Sequence, residues 1–317
     1  MGRRKKFNNY LPVRLRLKHG AYYHVATING KQAWIFLSRD LSEALSRWAQ
    51  REGHDKAGET VTEAVDRFIA EITPAKAEIT QRDYRRYAAK IKRVFGESRL
   101  SDIQTKDIAR YLDERTAKIE GNREIAFLSS VYTKTIRWGW CSANPCRGVE
   151  RNDEPRRKRY IDDAEVDKLR EKASDQMRAI IDLAVLTGLR KKDLLKIRLS
   201  DLLDAGVYVE QSKTGKRQVF EWTTALREVV ERAKKLRRRV GSLYLFANRG
   251  GQPYTTSGFD SMWLRVVKKS GLKDVRFHDL RAKAGSDATN ATELLGHDDP
   301  RTTARYKRAP IKVKPLR

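Results

Sequence analysis

Nine consecutive residues near the middle of the chain, Arg151-Asn152-Asp153-Glu154-Pro155-Arg156-Arg157-Lys158-Arg159, offer a hydrophobic core nothing beyond one proline ring. Five of the nine are basic. Such a run stays at a surface or between units, because burying unpaired charge is costly. A chain of 317 residues has length enough for a separate core on either side of it. We therefore place the main boundary at 150–159, as a basic linker, with residues 160–317 forming one domain beyond it.

Two patterns precede the linker. Residues 1–20 carry Arg3, Arg4, Lys5, Lys6, Arg14, Arg16 and Lys18 and no acidic residue. Two β-prone runs, 21–28 and 31–37, then flank Asn29-Gly30, a dipeptide suited to a tight type I′ turn. Residues 41–51 have helical character. This predicts a small three-stranded sheet plus helix over 1–55, led by a basic arm. After the polar stretch 53–58, Thr60-Val61-Thr62-Glu63 has the capping-box pattern, and Pro74 ends the helix that it opens. A second helix is expected over 79–95, closed by Gly96. It sets Tyr84, Tyr87, Ile91 and Val94 on one face and Arg82, Arg85, Arg86, Lys90, Lys92 and Arg93 on the other. Helices over 105–117 and 122–138 complete an all-α domain at 59–149.

Beyond the linker the pattern is mixed. Asp162 and Glu165 mark a helix start, and helices are expected over 177–186, 190–197, 224–239, 257–269, 278–287 and from 302 onward. Strands are expected at 207–211 and 217–221, around Lys213-Thr214-Gly215, and at 243–246. The fold class is multidomain α+β, with a mainly-α last domain holding a small antiparallel sheet.

Charge narrows the function. Lys and Arg number 68 against 41 Asp and Glu, a formal net charge of +27, which favours a polyanionic partner. No apolar run approaches the ~18 residues that a membrane span needs, and the N-terminus lacks the apolar stretch of a secretory signal. Cys141 and Cys146 are too few for a four-cysteine zinc site or a disulfide framework and fit a reducing cytosol.

Six side chains then stand out. Arg190 follows Thr187-Gly188-Leu189 at an expected helix start, where an arginine can grip two phosphate oxygens. Lys213 sits on an expected hairpin turn, and Ser212-Lys213-Thr214-Gly215-Lys216 lacks the glycine spacing of a nucleotide-binding P-loop. His278 and Arg281, three apart, share a helix face. His297 follows Gly296, and Tyr306 lies nine residues beyond it. Each alone has an ordinary structural reading, and a phenol is a poor nucleophile unless cations stand beside it.

In order, Arg190, Lys213, His278-x-x-Arg281, Gly296-His297 and Tyr306 resemble the catalytic set of the tyrosine recombinases, the phage integrase family. The likeness extends to the arm-type domain and helical core-binding domain of lambda-type integrases. It implies that Tyr306 attacks a DNA phosphate, giving a 3′-phosphotyrosyl link and a 5′-hydroxyl. Arg190 and Arg281 would balance the growing charge, His278 would take the phenol proton, Lys213 would protonate the leaving oxygen, and His297 would donate to the phosphate. Asp193 is expected to brace Arg190. DNA contacts are expected from Arg3, Arg4, Lys5, Lys6, Arg82, Arg85, Arg86, Arg156, Arg157, Lys158 and Arg159. No metal and no cofactor is expected. The implied partners are double-stranded DNA with core and arm sites, three further copies in a homotetramer, a DNA-bending host factor and an excisionase. The implied setting is the bacterial cytoplasm, at the nucleoid. Ile311, Val313 and Leu316, among the eleven residues after Tyr306, would dock on a neighbouring subunit. One departure is a shortened stretch between Arg281 and His297. The rival readings are a type IB topoisomerase and a DNA-binding repressor or architectural protein.

Overall fold

The computed structural model describes residues 11–28, 31–51, 60–236 and 241–310. Arg3, Arg4, Lys5, Lys6, the Asn29-Gly30 turn, the 53–58 stretch and the tail residues Ile311, Val313 and Leu316 lie outside the described residues. The chain divides into two compact units, Met1–Glu154 and Pro155–Arg317.

The first unit opens with an antiparallel sheet of β1 (Leu15–Lys18), β2 (Ala21–Ile28) and β3 (Lys31–Ser38). Leu15 pairs with His24, and His24 with Ile35. The two-residue loop between β1 and β2, His19-Gly20, has φ of 48° and 73°, the positive values a type I′ turn needs. Leu15 and Leu37 pack with Ala44 of α1 (Leu41–Arg51) in a small core. Trp34 and Phe36 stay exposed, edge-on to Tyr23.

Four helices follow: α2 (Val61–Glu71), α3 (Glu78–Phe95), α4 (Thr105–Glu114) and α5 (Lys118–Arg137). Thr60 and Glu63 form the expected capping box on α2. Val61, Val65, Phe68, Ile91, Phe127 and Leu128 are among the buried core of these helices. Tyr111, Arg115 and Glu124 add a buried polar pin, in which the Glu124 carboxylate accepts from the Tyr111 hydroxyl at 2.6 Å and twice from Arg115 at 2.9 Å. Two expectations need correcting. Val94 does not join the apolar face of α3, being 53% exposed. Helix α5 begins four residues before Asn122, whose buried amide bonds to Asn152. That tertiary partner offsets the poor helix propensity of Gly121-Asn122.

In the second unit, α6 (Asp163–Lys172) starts at the Asp162–Glu165 capping box. Next come α7 (Asp175–Thr187) and the short α8 (Lys191–Leu194). The sheet β4 (Leu202–Leu203), β5 (Gly206–Glu210) and β6 (Arg217–Glu221) is antiparallel throughout. Then come α9 (Thr224–Lys235), α10 (Thr256–Ser270), α11 (Phe277–Asp287), α12 (Ala291–Leu295) and α13 (Pro300–Ala304). Helix α7 is buried along most of its length and packs against α9 and α11, so it forms the axis of this core.

Three local expectations fail here. Residues 243–246 form no strand; Tyr244 makes one isolated bridge to Arg198, while Leu245 and Phe246 fill the core as a loop. The helix expected over 190–197 covers only Lys191–Leu194. The helix expected from 302 onward ends at Ala304, because Ser286 takes over the backbone that follows: its Oγ accepts from the N–H groups of Arg308 and Ala309. Tyr306 is thus in the turn that follows α13, its N–H donating to the Thr303 carbonyl at 2.8 Å, and not on a longer helix. Among the described residues, no helix is long and apolar enough to cross a membrane. Cys141 and Cys146 are free thiols, and burial pushes that of Cys146 up to about 12.

Candidate active site

The site is assembled where α7 ends, α11 passes and α12 closes. Gly188 caps α7 in the left-handed conformation, with φ of 60°. A Cβ there would lie 2.8 Å from Leu295 and 3.3 Å from Ala284, so only glycine lets the three elements meet. Its carbonyl accepts from Arg281 Nη1 at 2.5 Å. Arg281 is 2% exposed and also donates through Nη2 to the Leu295 carbonyl at 2.8 Å and to His297 Nε2 at 3.1 Å. Its Nε is buried without a partner. Burial, and then the charge of Arg190, lower its pKa from the ordinary arginine value, with Tyr306 opposing. A buried guanidinium with an unused donor beside a second arginine is a site that would gain from an anion.

Arg190 stands at the N-cap of α8 and donates to the Gln211 amide oxygen. Gln211, 1% exposed, donates in turn to the same Leu295 carbonyl at 3.2 Å. The two arginines are therefore registered against one backbone oxygen. Gly296 permits this, because a Cβ on it would lie 2.2 Å from the Gln211 amide nitrogen.

His297 is buried, with Nδ1 3.0 Å from Thr303 Oγ1. Since the Arg281 donor faces Nε2, that nitrogen must accept, and the proton belongs on Nδ1, given to Thr303. His278 presents Nε2 to the Tyr306 hydroxyl at 3.2 Å. Desolvation, followed by Arg281 and Arg308, brings His278 down to about 4; desolvation, Arg281 and Arg190 do the same for His297. His278 is nevertheless exposed to solvent, so crowding by protein atoms and cations, not enclosure, sets its shift. Both rings are neutral at pH 7, and His278 is free to accept a proton.

Tyr306 is half-buried. Its ring lies 5.2 Å from the Arg281 guanidinium carbon and 5.1 Å from the His297 ring. Gly285 on α11 makes room for it: a Cβ there would be 3.2 Å from the Tyr306 Cβ and 2.7 Å from Leu295. Five of the six expected residues, Arg190, His278, Arg281, His297 and Tyr306, thus surround one point.

Lys213 is placed differently. It is exposed on the β5–β6 turn, and its ammonium makes no hydrogen bond or ion pair among the described residues. The turn itself is held at both feet. Ser212 donates through its N–H and Oγ to Asp193 at 2.9 and 2.6 Å, and Lys216 pairs with Asp298 at 2.7 Å. Asp193 therefore fixes the lysine turn rather than bracing Arg190, whose side-chain partner is Gln211. One Asp193 oxygen remains buried and unpaired.

Of the expected DNA contacts, Arg82, Arg85, Arg86, Arg156 and Lys158 are exposed, with Arg86 also paired to Glu120 at 2.6 Å. Arg157 and Arg159 are used inside the protein instead: Arg157 binds Asp274 and Asp279, and Arg159 binds Glu165. Sequence reasoning missed Gln211, Ser286, Thr303 and Arg308. Gln211 had one signal, a long amide two residues before Lys213 at the end of a strand.

Residues 159–311 match the model of the phage integrase family. The integrase of Enterobacteria phage 434 is 27% identical over 97% of this chain and 96% of its own length. A lambda integrase dimer bound to a COC′ core site superposes with a TM-score of 0.68 at 24% identity, covering 97% of this chain and 99% of that one. A lambda integrase tetramer bound to a Holliday junction gives 0.65 at 25% identity, over 92% and 97%. Residues 159–311 thus form a phage integrase family domain, and the chain is a site-specific tyrosine recombinase of the lambda type.

Proposed function

We propose that this recombinase integrates and excises a phage or other mobile element by cutting and rejoining double-stranded DNA through a 3′-phosphotyrosyl intermediate on Tyr306. The observation that carries the reading is the 3.2 Å contact between the Tyr306 hydroxyl and His278 Nε2, beside the Arg281 guanidinium. Neutral His278 takes the phenol proton as the oxygen attacks phosphorus. Arg190 and Arg281 balance the charge that grows on the nonbridging oxygens, in a pocket where Gln211 and the Leu295 carbonyl already hold them. Lys213, untethered on a pinned turn, gives its proton to the departing 5′ oxygen. His297 orients Arg281 in the state described; with its proton on Nε2 it donates to the phosphate. A 5′-hydroxyl from the partner strand then attacks the phosphotyrosyl link and releases Tyr306. One phosphoester replaces another, so the exchange needs no external energy source.

Exchange between two duplexes calls for four such sites, which fits a homotetramer on core-type DNA. The exposed sheet of the first unit fits arm-type DNA. A DNA-bending host factor and an excisionase would set direction, and the bacterial cytoplasm at the nucleoid is the setting. The exposed Arg82, Arg85, Arg86, Arg156 and Lys158, with the arm residues Arg3, Arg4, Lys5 and Lys6, supply phosphate contacts. The test is to map the junctions that the protein joins in cells and then assay recombination of two duplexes bearing them. Religated recombinant product supports the reading. Supercoil relaxation without exchange would favour a topoisomerase.

A further inference from the structure

Several charged contacts outside the reacting cluster converge on one carboxylate. Asp279 is 1% exposed at the third position of α11, directly after His278. Its Oδ2 accepts the Arg276 N–H at 2.9 Å, which is ordinary helix capping. The remaining contacts exceed what a cap needs. Oδ1 accepts from Arg157 Nε at 2.8 Å and from Arg308 Nη1 at 2.7 Å, and Oδ2 accepts from Arg157 Nη2 at 2.7 Å. Burial alone would push this carboxyl up, but the hydrogen bonds from Arg157, Arg276 and Arg308 hold it below the usual carboxylate range.

The two arginines come from different places. Arg157 belongs to the basic segment after Pro155 and also forks onto Asp274 at 2.8 and 2.7 Å. Arg308 lies two residues after Tyr306; its N–H donates to Ser286 Oγ at 2.7 Å, and its Nη1 reaches the Arg159 carbonyl at 3.2 Å. Ser286 also donates to the Tyr306 carbonyl at 3.0 Å. The segment bearing the phenol is thus fastened to α11 by backbone through Ser286 and by side chain through Asp279. Because Arg157 and Arg308 share Oδ1, a displacement of one changes the setting of the other.

We propose that Asp279 is a positioning residue for the nucleophile: through Arg308 it fixes how far Tyr306 reaches toward the phosphate, and through Arg157 it ties that reach to the path of residues 155–159. The inference rests on Tyr306 being the nucleophile. It differs from a phosphate-contact role for Arg157, since that side chain is spent on two carboxylates.

The test uses the full-length protein and a nicked duplex carrying the mapped crossover sequence. In Arg308→Gln and in Arg157→Gln, covalent adduct formation falls on the order of ten- to a hundredfold, the loss expected for a reacting atom misplaced by about 1 Å. Affinity for the duplex, and its slope with salt, stay the same. Arg308→Lys restores part of the rate. Tyr306→Phe supplies a second background, in which hydroperoxide takes the place of the phenol: it attacks phosphorus, the 5′ oxygen leaves and takes up a proton. That cleavage reports on the phosphate pocket alone, and Arg308→Gln should not change it. Undiminished adduct in both glutamine variants overturns the proposal. So does an equal loss of tyrosine and hydroperoxide cleavage, which would place the effect in the pocket or in folding. A salt slope reduced by about one in Arg157→Gln would make that residue a phosphate contact and overturn the link to 155–159. Covalent adduct in Tyr306→Phe would instead refute the nucleophile assignment, leaving a different reading to explain the node.

Discussion

The side chains proposed to react owe their properties to near neighbours more than to their own chemistry. His278 is held at about 4 by desolvation and by Arg281 and Arg308, so in the free enzyme it remains a base well below pH 6. We predict that kcat/KM for adduct formation shows no acid limb near 6.5 from this residue, and falls only as pH drops toward 4; stopped reactions on the nicked duplex across that range check it. Stability follows the same sign. A histidine whose pKa is lower folded than unfolded binds fewer protons in the native state, so its contribution is present above about 6.5 and is lost as pH falls toward 4. For buried His297, also about 4, that loss is up to roughly 3 kcal/mol, readable from urea midpoints at pH 7 and pH 4.5. Gln211 gives a further prediction at this scale. Gln211→Ala frees Arg190 and one donor to Leu295, and should lower the adduct rate by roughly ten- to a hundredfold with little change in DNA affinity. An unchanged rate would mean that Arg190 needs no such support. The six residues proposed for catalysis were legible in order in the sequence, yet nothing in it distinguished Gln211 from an ordinary strand-end amide. Its importance comes from meeting Arg190 and Leu295, which lie 21 residues before it and 84 after it.

Among elements, the legible ones had strong local signals. The capping pairs Thr60–Glu63 and Asp162–Glu165 start helices where the pattern placed them. The β5–β6 hairpin forms around Lys213-Thr214-Gly215, with Gly215 at a φ of 69°. Failures occurred where tertiary partners overrode local preference. Ser286 draws the chain out of helix after Ala304, and Leu245 and Phe246 are needed in the core rather than in a ladder. Asp193 had been assigned to Arg190 by resemblance, but its bonds run to Ser212. Two predictions belong here. Gly296 has a φ of 62° and no room for a side chain, so Gly296→Ala should cost about 1–3 kcal/mol and slow cleavage more than it weakens binding. In the helical part of the first unit, Arg115→Ala strips a 1% exposed Glu124 of its cation and should cost about 3–5 kcal/mol in chemical denaturation. A loss under 1 kcal/mol in either would show that the local structure relaxes around the change.

At the level of the whole molecule, the chain divides between Glu154 and Pro155 into two compact units, and the basic stretch 151–159 spans that point. Its role was only half legible. Charge alone suggested phosphate contacts, whereas Arg157 is an internal ligand of Asp274 and Asp279, 117 and 122 residues on, and Arg159 pairs with Glu165, six residues on. Strand exchange as proposed requires one phenol to act within a fixed set of cations and a neutral base. The most direct measurement is covalent capture on a nicked duplex whose released fragment prevents religation, read on denaturing gels. Wild type should form a protein–DNA adduct, and Tyr306→Phe should bind the duplex with unchanged affinity and form none. An adduct of undiminished yield with Tyr306→Phe would contradict the account, because the nucleophile would then lie elsewhere.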